Sequence, residues 1–520
     1  MRRSSFARIG RLIPRLDERG NVAIVVALSM APLCVAGLGA VDLARATNAK
    51  SQLQDALDAA TLSAARSTAQ TDGELKTAGD RVLNQNLALG DDFDLVSSTY
   101  HATTDGKVIA TARLNVRPFI AGILSDGVMP IDATTEVVRA SVKVEIALVL
   151  DTTGSMTEGT KLADMKKAAK DFVTKMEDAA KKSVEPNTVR ISLVPFSNTV
   201  RVDETAYRNA TWIDQSGTSP VNDEIFTTAT GVQHANRFTL FSNLGATWRG
   251  CVEMRKAPYD VQDTAPAVGT PATLYTPFFA VDEPDSKTSG YASDYQNDYV
   301  ADGTNSSNWR VRQGMITKYG GSKKASLTTS FGPNRGCGVS KMRRLTTDFQ
   351  ALRTDIDALN ADGNTNIPMG MSWGWNTLSP LGPFADGVAY GTPKYKKIIV
   401  LMTDGENTIS QRDTPNDGTY AGTGYIWQGR VIKSNGQPLT QGASDDTRTA
   451  ALDYRLGLLC SNMKAKDIEI YTIRVVDGSS TLLENCASDR DHYYNVTDST
   501  TLTTVFQNIA GQIAALRLSK

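Results

Sequence analysis

From Asn21 to Val41 the chain carries no charge and is apolar at most positions, N-V-A-I-V-V-A-L-S-M-A-P-L-C-V-A-G-L-G-A-V. A helix of about 20 such residues crosses a hydrocarbon layer. Pro32 lies inside the run and is tolerable there, because neighbouring groups re-satisfy the backbone it frees. Beyond the run the pattern changes, and Leu53, Leu57, Ala60 and Ala64 recur at helical spacing. The helix is therefore expected to continue over residues 42–68 as an amphipathic stalk that needs a surface to cover its apolar stripe. Residues 69–141 offer one: a helical piece precedes the strand-like runs K-V-I-A-T-A-R-L-N-V and I-D-A-T-T-E-V-V-R-A, which predicts a small α+β module.

After residue 142 strands alternate with helices. V-E-I-A-L-V-L (144–150) is almost continuously apolar, as a strand covered on both faces must be. The next segment puts Leu162, Met165, Ala169, Phe172, Val173 and Met176 on one helical face. V-R-I-S-L-V-P-F (189–196), K-K-I-I-V-L-M (396–402) and D-I-E-I-Y-T-I-R-V-V (467–476) read as further strands, and Leu502, Val505, Phe506, Ile509, Ile513 and Leu516 as the face of a last helix. Such alternation predicts a doubly wound, mainly parallel α/β sheet over residues 142–518. Two segments, about 203–340 and 409–445, interrupt it with Thr, Asn, Asp, Gly and Ser. A structureless loop as long as the first is improbable in a compact domain, so that insertion is expected to have a fold of its own.

Charge then sets the orientation. Lys+Arg 55 balance Asp+Glu 56 for a net charge of -1, so no overall basic field recruits nucleic acid. The exception is residues 1–20, where Arg2, Arg3, Arg8, Arg11, Arg15 and Arg19 face only Asp17 and Glu18. Cations before the span and the bulk of the chain after it put the N-terminus in the cytoplasm and the rest outside. A cleaved signal peptide is the alternative, but its apolar core runs only about 7 to 15 residues. Five cysteines divide accordingly: Cys34 lies in the span, while Cys251, Cys337, Cys460 and Cys486 form an even set beyond it. Outside the cytoplasm these oxidise. Of the three pairings, Cys460–Cys486 with Cys251–Cys337 keeps each pair local, and each bond contributes about 3 to 5 kcal/mol. A zinc site is disfavoured, since no C-x-x-C pairs exist and His101, His234 and His492 are far apart.

The chemistry concentrates at strand ends. In open parallel sheets ligands bind beyond the carboxyl ends of the strands. There lie Asp151, in V-L-D-T-T-G-S-M, and Asp404, in I-I-V-L-M-T-D-G-E-N. Thr153 and Ser155 follow in the first loop with Gly154 between them, and Thr365 stands in the loop D-G-N-T-N-I-P. Carboxylates and hydroxyls together suit a hard cation such as Mg²⁺, which takes six oxygen ligands and keeps some water. Neutral hydroxyls leave such an ion spare positive charge for an outside carboxylate.

D-T-T-G-S, G-N-T-N-I and T-D-G-E-N resemble the three loops of the metal-ion-dependent adhesion site (MIDAS) of von Willebrand factor type A (vWA) domains. The resemblance implies that Asp151, Thr153, Ser155, Thr365 and Asp404 hold Mg²⁺ or another divalent cation such as Mn²⁺, and that a partner protein's Asp or Glu completes the shell. The family's first loop has serine where this chain has Thr153, whose hydroxyl does the same work. Near the N-terminus, R-G-N-V-A-I-V-V-A-L running into N-A-K-S-Q-L-Q-D-A-L-D-A-A-T-L-S-A-A is similar to the TadE/TadG-like segment of tight-adherence (Flp) pilus-assembly proteins. Combined with a metal-binding adhesion domain it resembles the TadG type. No glutamate lies five residues after Gly20, so prepilin-type processing is not implied.

The expectation is a single-pass protein of the bacterial inner membrane, not an enzyme, whose outer domain binds a protein partner, pilus-assembly components among the candidates. One alternative is a stand-alone adhesin or envelope anchor. Another is a phosphohydrolase using Asp151 as nucleophile, because D-T-T-G-S also resembles the D-x-T-G-T of haloacid-dehalogenase-like enzymes; that chemistry needs a lysine near the phosphate and further metal carboxylates. So few histidines leave no hydrolase triad to defend.

Overall fold

Glu18–Arg66 forms one helix of 49 residues (α1), roughly 70 Å long at 1.5 Å per residue, in a computed structural model. The structure describes residues 18–516 except 68, 70, 88–92, 104–105, 119–126, 139–141, 182, 184, 229–230 and 233. The arginine-rich stretch up to residue 17 lies outside the described residues. Val22, Ile24, Val25, Leu28, Leu33 and Leu38 on α1 are all exposed. The helix is long and apolar enough there to cross a membrane. Further along, Ala46, Ala49, Leu53, Ala56, Leu57, Ala60 and Ala64 are buried.

What covers that stripe is helix α2 (Asp72–Asn86) and an antiparallel sheet of β1 (Phe93–Ala102), β2 (Lys107–Val116) and β3 (Met129–Val138), in the order β1-β2-β3. Thr71 starts α2 with a capping box: its hydroxyl accepts from the Glu74 N–H at 3.3 Å, and the Glu74 carboxylate accepts from the Thr71 N–H at 3.1 Å. Val108, Ala110, Ala112, Leu114 and Val116 alternate inward along β2. The Tyr100 ring lies over Gly79, where an added Cβ would come within 2.4 Å of it. The helix followed by a small α+β module is thus present in this unit, which the chain closes at Arg139.

The second unit, Ala140–Lys520, is built on a six-stranded sheet. Its main elements are β4 (Lys143–Asp151), α3 (Lys161–Lys181), β5 (Val189–Phe196), β6 (Arg343–Thr346), α4 (Phe349–Asp357), α5 (Ile367–Leu378), β7 (Tyr395–Thr403), α6 (Asp445–Lys464), β8 (Ile468–Val475), α7 (Ser480–Cys486), β9 (Tyr493–Val496) and α8 (Leu502–Leu516). The strand order is β6-β5-β4-β7-β8-β9, parallel throughout except for the antiparallel edge strand β6. This is the doubly wound, mainly parallel α/β sheet expected, with two short strands, β6 and β9, that the sequence pattern does not announce.

Ile146, Leu148 and Leu150 face one core, with Met165, Phe172 and Met176 of α3, Leu352 and Ile356 of α4, and Phe506, Ile509 and Ile513 of α8. Ala147, Val149, Ile399 and Leu401 face the other. There α5 lies so close to the sheet that a Cβ on Gly370 would strike the Phe196 ring, and one on Gly374 the Val149 side chain, both at 2.5 Å. Trp373 is in this core against Trp212, Tyr275 and Phe384, a packing role.

The 203–340 insertion departs from expectation. It does not form a separate fold: Trp212, Phe226, Tyr275 and Phe279 belong to the same apolar cluster as Val149 and Leu401. Its regular elements are short, such as Glu204–Tyr207, Arg237–Asn243 and Trp309–Gly314. Buried polar contacts bind it to the 409–445 insertion: Arg430 pairs with Glu253 at 2.6 Å and the Asn416 amide donates to Glu283 at 3.0 Å, all four buried. Their apolar side chains complete the core on that face of the sheet, so both insertions condense there as one irregular layer. Disulfides Cys251–Cys337 and Cys460–Cys486 close this unit, with Cα separations of 5.8 and 5.2 Å. Cys34 is free.

Candidate metal centre

At the carboxyl ends of β4 and β7 the backbone stitches three loops together. Gly154 N–H donates to the Gly363 carbonyl at 2.9 Å and Asp362 N–H to the Thr152 carbonyl at 2.9 Å, joining the first loop to the second. Thr408 N–H donates to the Thr365 carbonyl at 2.8 Å, and Thr365 N–H to the Thr408 hydroxyl at 3.1 Å, joining the second to the third. Thr365 is set just before α5, whose N-cap is Asn366, accepting from the Met369 N–H at 3.0 Å.

All five oxygen-bearing side chains singled out by sequence meet here. Thr153 Oγ1 donates to Asp151 Oδ1 at 2.6 Å and lies 3.1 Å from Ser155 Oγ, while Thr365 Oγ1 donates to Thr153 Oγ1 at 3.2 Å. Ser155 Oγ donates to Asp404 Oδ1 at 2.7 Å. Asp151, Thr153, Thr365 and Asp404 are buried, and Ser155 is half-buried. Gly405 keeps the space clear: a Cβ there would sit 3.3 Å from Thr365 Oγ1 and 3.7 Å from Ser155 Oγ.

Other side chains at the site were not read from the sequence. Thr403 Oγ1 donates to Asp151 Oδ2 at 2.5 Å. Lys161, the first residue of α3, places Nζ 2.9 Å from Asp404 Oδ2, 2.9 Å from Glu158 Oε2 and 3.7 Å from Asp477 Oδ2. A fourth loop, after β8, touches the third, since a Cβ on Gly478 (φ +96°) would lie 2.9 Å from the Gly405 carbonyl. Beside the second loop opens a cavity of about 300 Å³ bounded by Asp362, Gly363 and Asn364 on one side and by Arg335, Tyr420 and Tyr425 of the insertions on the other.

Burial, then the charge of Asp404, push the Asp151 carboxyl up to about 6, against the opposing hydrogen bonds of Thr153 and Thr403. Burial pulls the Lys161 ammonium down, but its bonds to Asp404 and Glu158 outweigh that and leave it raised. Among the described residues no three His, Cys, Asp or Glu cluster to hold a metal, so a cation here rests on hydroxyls as much as on carboxylates. The donor set fits a hard cation: the five side chains offer only oxygen, and each hydroxyl can rotate its proton away and offer a lone pair.

Residues 20–67 match the family model of putative Flp pilus-assembly TadE/G-like proteins. A search of curated proteins finds no match. Among solved structures the chain is similar to the pilus adhesin SpaC of Lactobacillus rhamnosus GG, 13% identical with a TM-score of 0.32 over 83% of this chain and 36% of that one. It is also similar to the von Willebrand factor domain of the type V pili tip protein Mfa5 of Porphyromonas gingivalis, 13% identical with a TM-score of 0.33 over 72% and 97% of the two chains. A third is proximal thread matrix protein 1 of the mussel byssus with a zinc-occupied MIDAS motif, 10% identical with a TM-score of 0.28 over 72% and 46%. The chain thus spans about a third of SpaC and under half of the byssus protein.

Proposed function

We propose that this chain is a single-pass inner-membrane protein of Tad/Flp pilus assembly or adhesion, with its second unit in the periplasm or facing the surface, where it grips a protein partner through a Mg²⁺-dependent site. One observation carries the reading: five oxygen-bearing side chains from three loops, far apart in sequence, converge at the carboxyl edge of the sheet. The pilus context is supported by the family match at residues 20–67. The orientation is supported by the arginines before the span and by two disulfides in the second unit.

Asp151, Thr153, Ser155, Thr365 and Asp404 would hold the cation, Mg²⁺ or Mn²⁺. When bound, the ion supplies a Lewis-acidic docking point for a carboxylate of the partner. The protein fixes its donors beforehand: Thr403 and the Thr153 N–H pin both oxygens of Asp151, and Ser155 orients Asp404. The insertions, which wall the neighbouring cavity, shape the surface that meets the partner.

The phosphohydrolase alternative gains a lysine at the site but loses its nucleophile. Lys161 pairs with Asp404, and Asp151 is fully buried with both oxygens already accepting hydrogen bonds. The test is a pull-down by full-length protein in detergent, with Mg²⁺ or with EDTA, using wild type and Asp404→Asn. Partner capture should require both the ion and Asp404; equal capture with EDTA would remove the reading. Hydrolysis of p-nitrophenyl phosphate abolished by Asp151→Asn would favour the enzyme instead.

A further inference from the structure

We propose that Lys161 is a built-in counter-ion of the metal centre, which holds the loops together without a cation and sets how much divalent ion is needed to load the site. This rests on the metal-site reading above. Asp404 is fully buried, and a buried carboxylate needs a compensating charge or loses it by protonation. One of its oxygens takes the Ser155 proton; the other takes the Lys161 ammonium at 2.9 Å. Lys161 itself is buried, with a side chain only 9% exposed, so its position is set by packing as well as by charge.

A dication among these oxygens and an ammonium on Asp404 repel each other strongly at low dielectric. Loading is therefore a competition for Asp404. The ammonium has somewhere to go: Glu158 Oε2 is already 2.9 Å from Nζ and Asp477 Oδ2 is 3.7 Å away, and both side chains stand at the surface, 69% and 68% exposed. Lys161 thus lies between one buried carboxylate and two exposed ones. Leaving Asp404 for Glu158 and Asp477 frees the buried oxygen without stranding the charge. A lysine serving only to brace the loops would do the opposite, since its removal would disorder Asp404 and weaken the site.

The experiment measures Mn²⁺ uptake by full-length protein in detergent after chelator treatment, using the spin-resonance signal of free Mn²⁺, with Mg²⁺ titration calorimetry alongside. Thermal melting of the cation-free forms is followed in parallel. Lys161→Gln should bind Mn²⁺ about tenfold more tightly or better than wild type, while its cation-free form melts at a lower temperature. Lys161→Arg, which keeps the charge, should stay close to wild type. Glu158→Gln combined with Asp477→Asn, which removes the resting place, should bind several-fold more weakly. Lys161→Gln binding equal to or weaker than wild type, in a protein that still melts cooperatively, overturns the counter-ion role and leaves the metal site standing. No uptake by wild type or by any variant overturns both.

Discussion

Asp282 and Asp404 are both buried carboxylates beside a lysine in the second unit, and they differ in how they are held. In the insertion layer Asp282 and Lys318 pair at 2.7 Å with neither side chain exposed. Asp282 also accepts from the Tyr299 and Val300 N–H groups at 2.5 and 2.8 Å, while Lys318 donates to the Asp282 and Arg312 carbonyls at 3.2 and 3.0 Å. These partners are mostly backbone, fixed in direction, with no proton to turn aside. At the rim, Asp151 and Asp404 are held largely by Thr153, Ser155 and Thr403 hydroxyls, and Lys161 is shared with exposed acids. A hydroxyl donates in one rotamer and offers a lone pair in another. The first arrangement is closed and holds the fold; the second has hydroxyls that can turn, as the proposed cation site requires. Burial and an adjacent lysine therefore do not mark a functional site by themselves. The nature of the remaining donors does.

The comparison breaks most heavily on the closed side. Cys251→Ser with Cys337→Ser opens an 86-residue loop and should cost about 4 to 5 kcal/mol; the 26-residue loop of Cys460 and Cys486 should cost about 1 kcal/mol less. Denaturant melts of the two double variants against wild type check the order. Neither change touches the rim, so both variants, kept cold, should still take up Mn²⁺.

Asp282→Ala comes next. It leaves Lys318 with only the more distant Asp302 carboxylate, 3.9 Å away, and removes the acceptor for two backbone N–H groups, which should cost about 3 to 5 kcal/mol. On the metal-site reading proposed above, Mg²⁺ should still stabilise this variant in thermal melts. A loss below about 1 kcal/mol would mean that the closed network is no tighter than a surface pair.

Asp404→Asn should do the reverse. Replacing one of two repelling carboxylates relieves Asp151 while taking a partner from Lys161, which keeps Glu158. The two effects oppose each other, and the cation-free melt should move by no more than about 1 kcal/mol. Mg²⁺-dependent stabilisation should disappear. Asp404→Ala is a poorer probe, because it leaves Lys161 beside an empty space. A large loss of stability in Asp404→Asn without cation would assign the rim to the same structural class as Asp282.

Much of the rim was legible in the sequence because its parts lie where strands end. The almost wholly apolar V-E-I-A-L-V-L and K-K-I-I-V-L-M fix two parallel strands, and their last residues put Asp151 and Asp404 on one edge. Thr365 was legible through the loop D-G-N-T-N-I-P and its likeness to the second adhesion-site loop. Lys161 was not: it stands 243 residues from Asp404 and reads as one more cation on the polar face of an amphipathic helix. Thr403 stands in the motif T-D-G-E-N, directly before Asp404, but was given no role there. The insertion misled for a related reason. Its core residues, Trp212, Phe226, Tyr275 and Phe279, follow no period, and Asp282 and Lys318 read as surface charges until the chain closes around them. Periodicity reports an element's own faces, while burial of an irregular layer depends on what it condenses against.

The smallest change divides the two arrangements most finely. Thr365→Val keeps shape and burial and removes a single hydroxyl, which makes one long bond, 3.2 Å, to Thr153 Oγ1. Stability should fall by about 1 kcal/mol or less, the net worth of one neutral hydrogen bond. If that hydroxyl is held in reserve as a lone pair for a cation, its loss should weaken Mn²⁺ binding about tenfold while every charge at the site stays in place. Titration of Thr365→Val beside wild type reads both quantities. Unchanged affinity would confine the cation to the first and third loops and reduce Thr365 to a brace for Thr153.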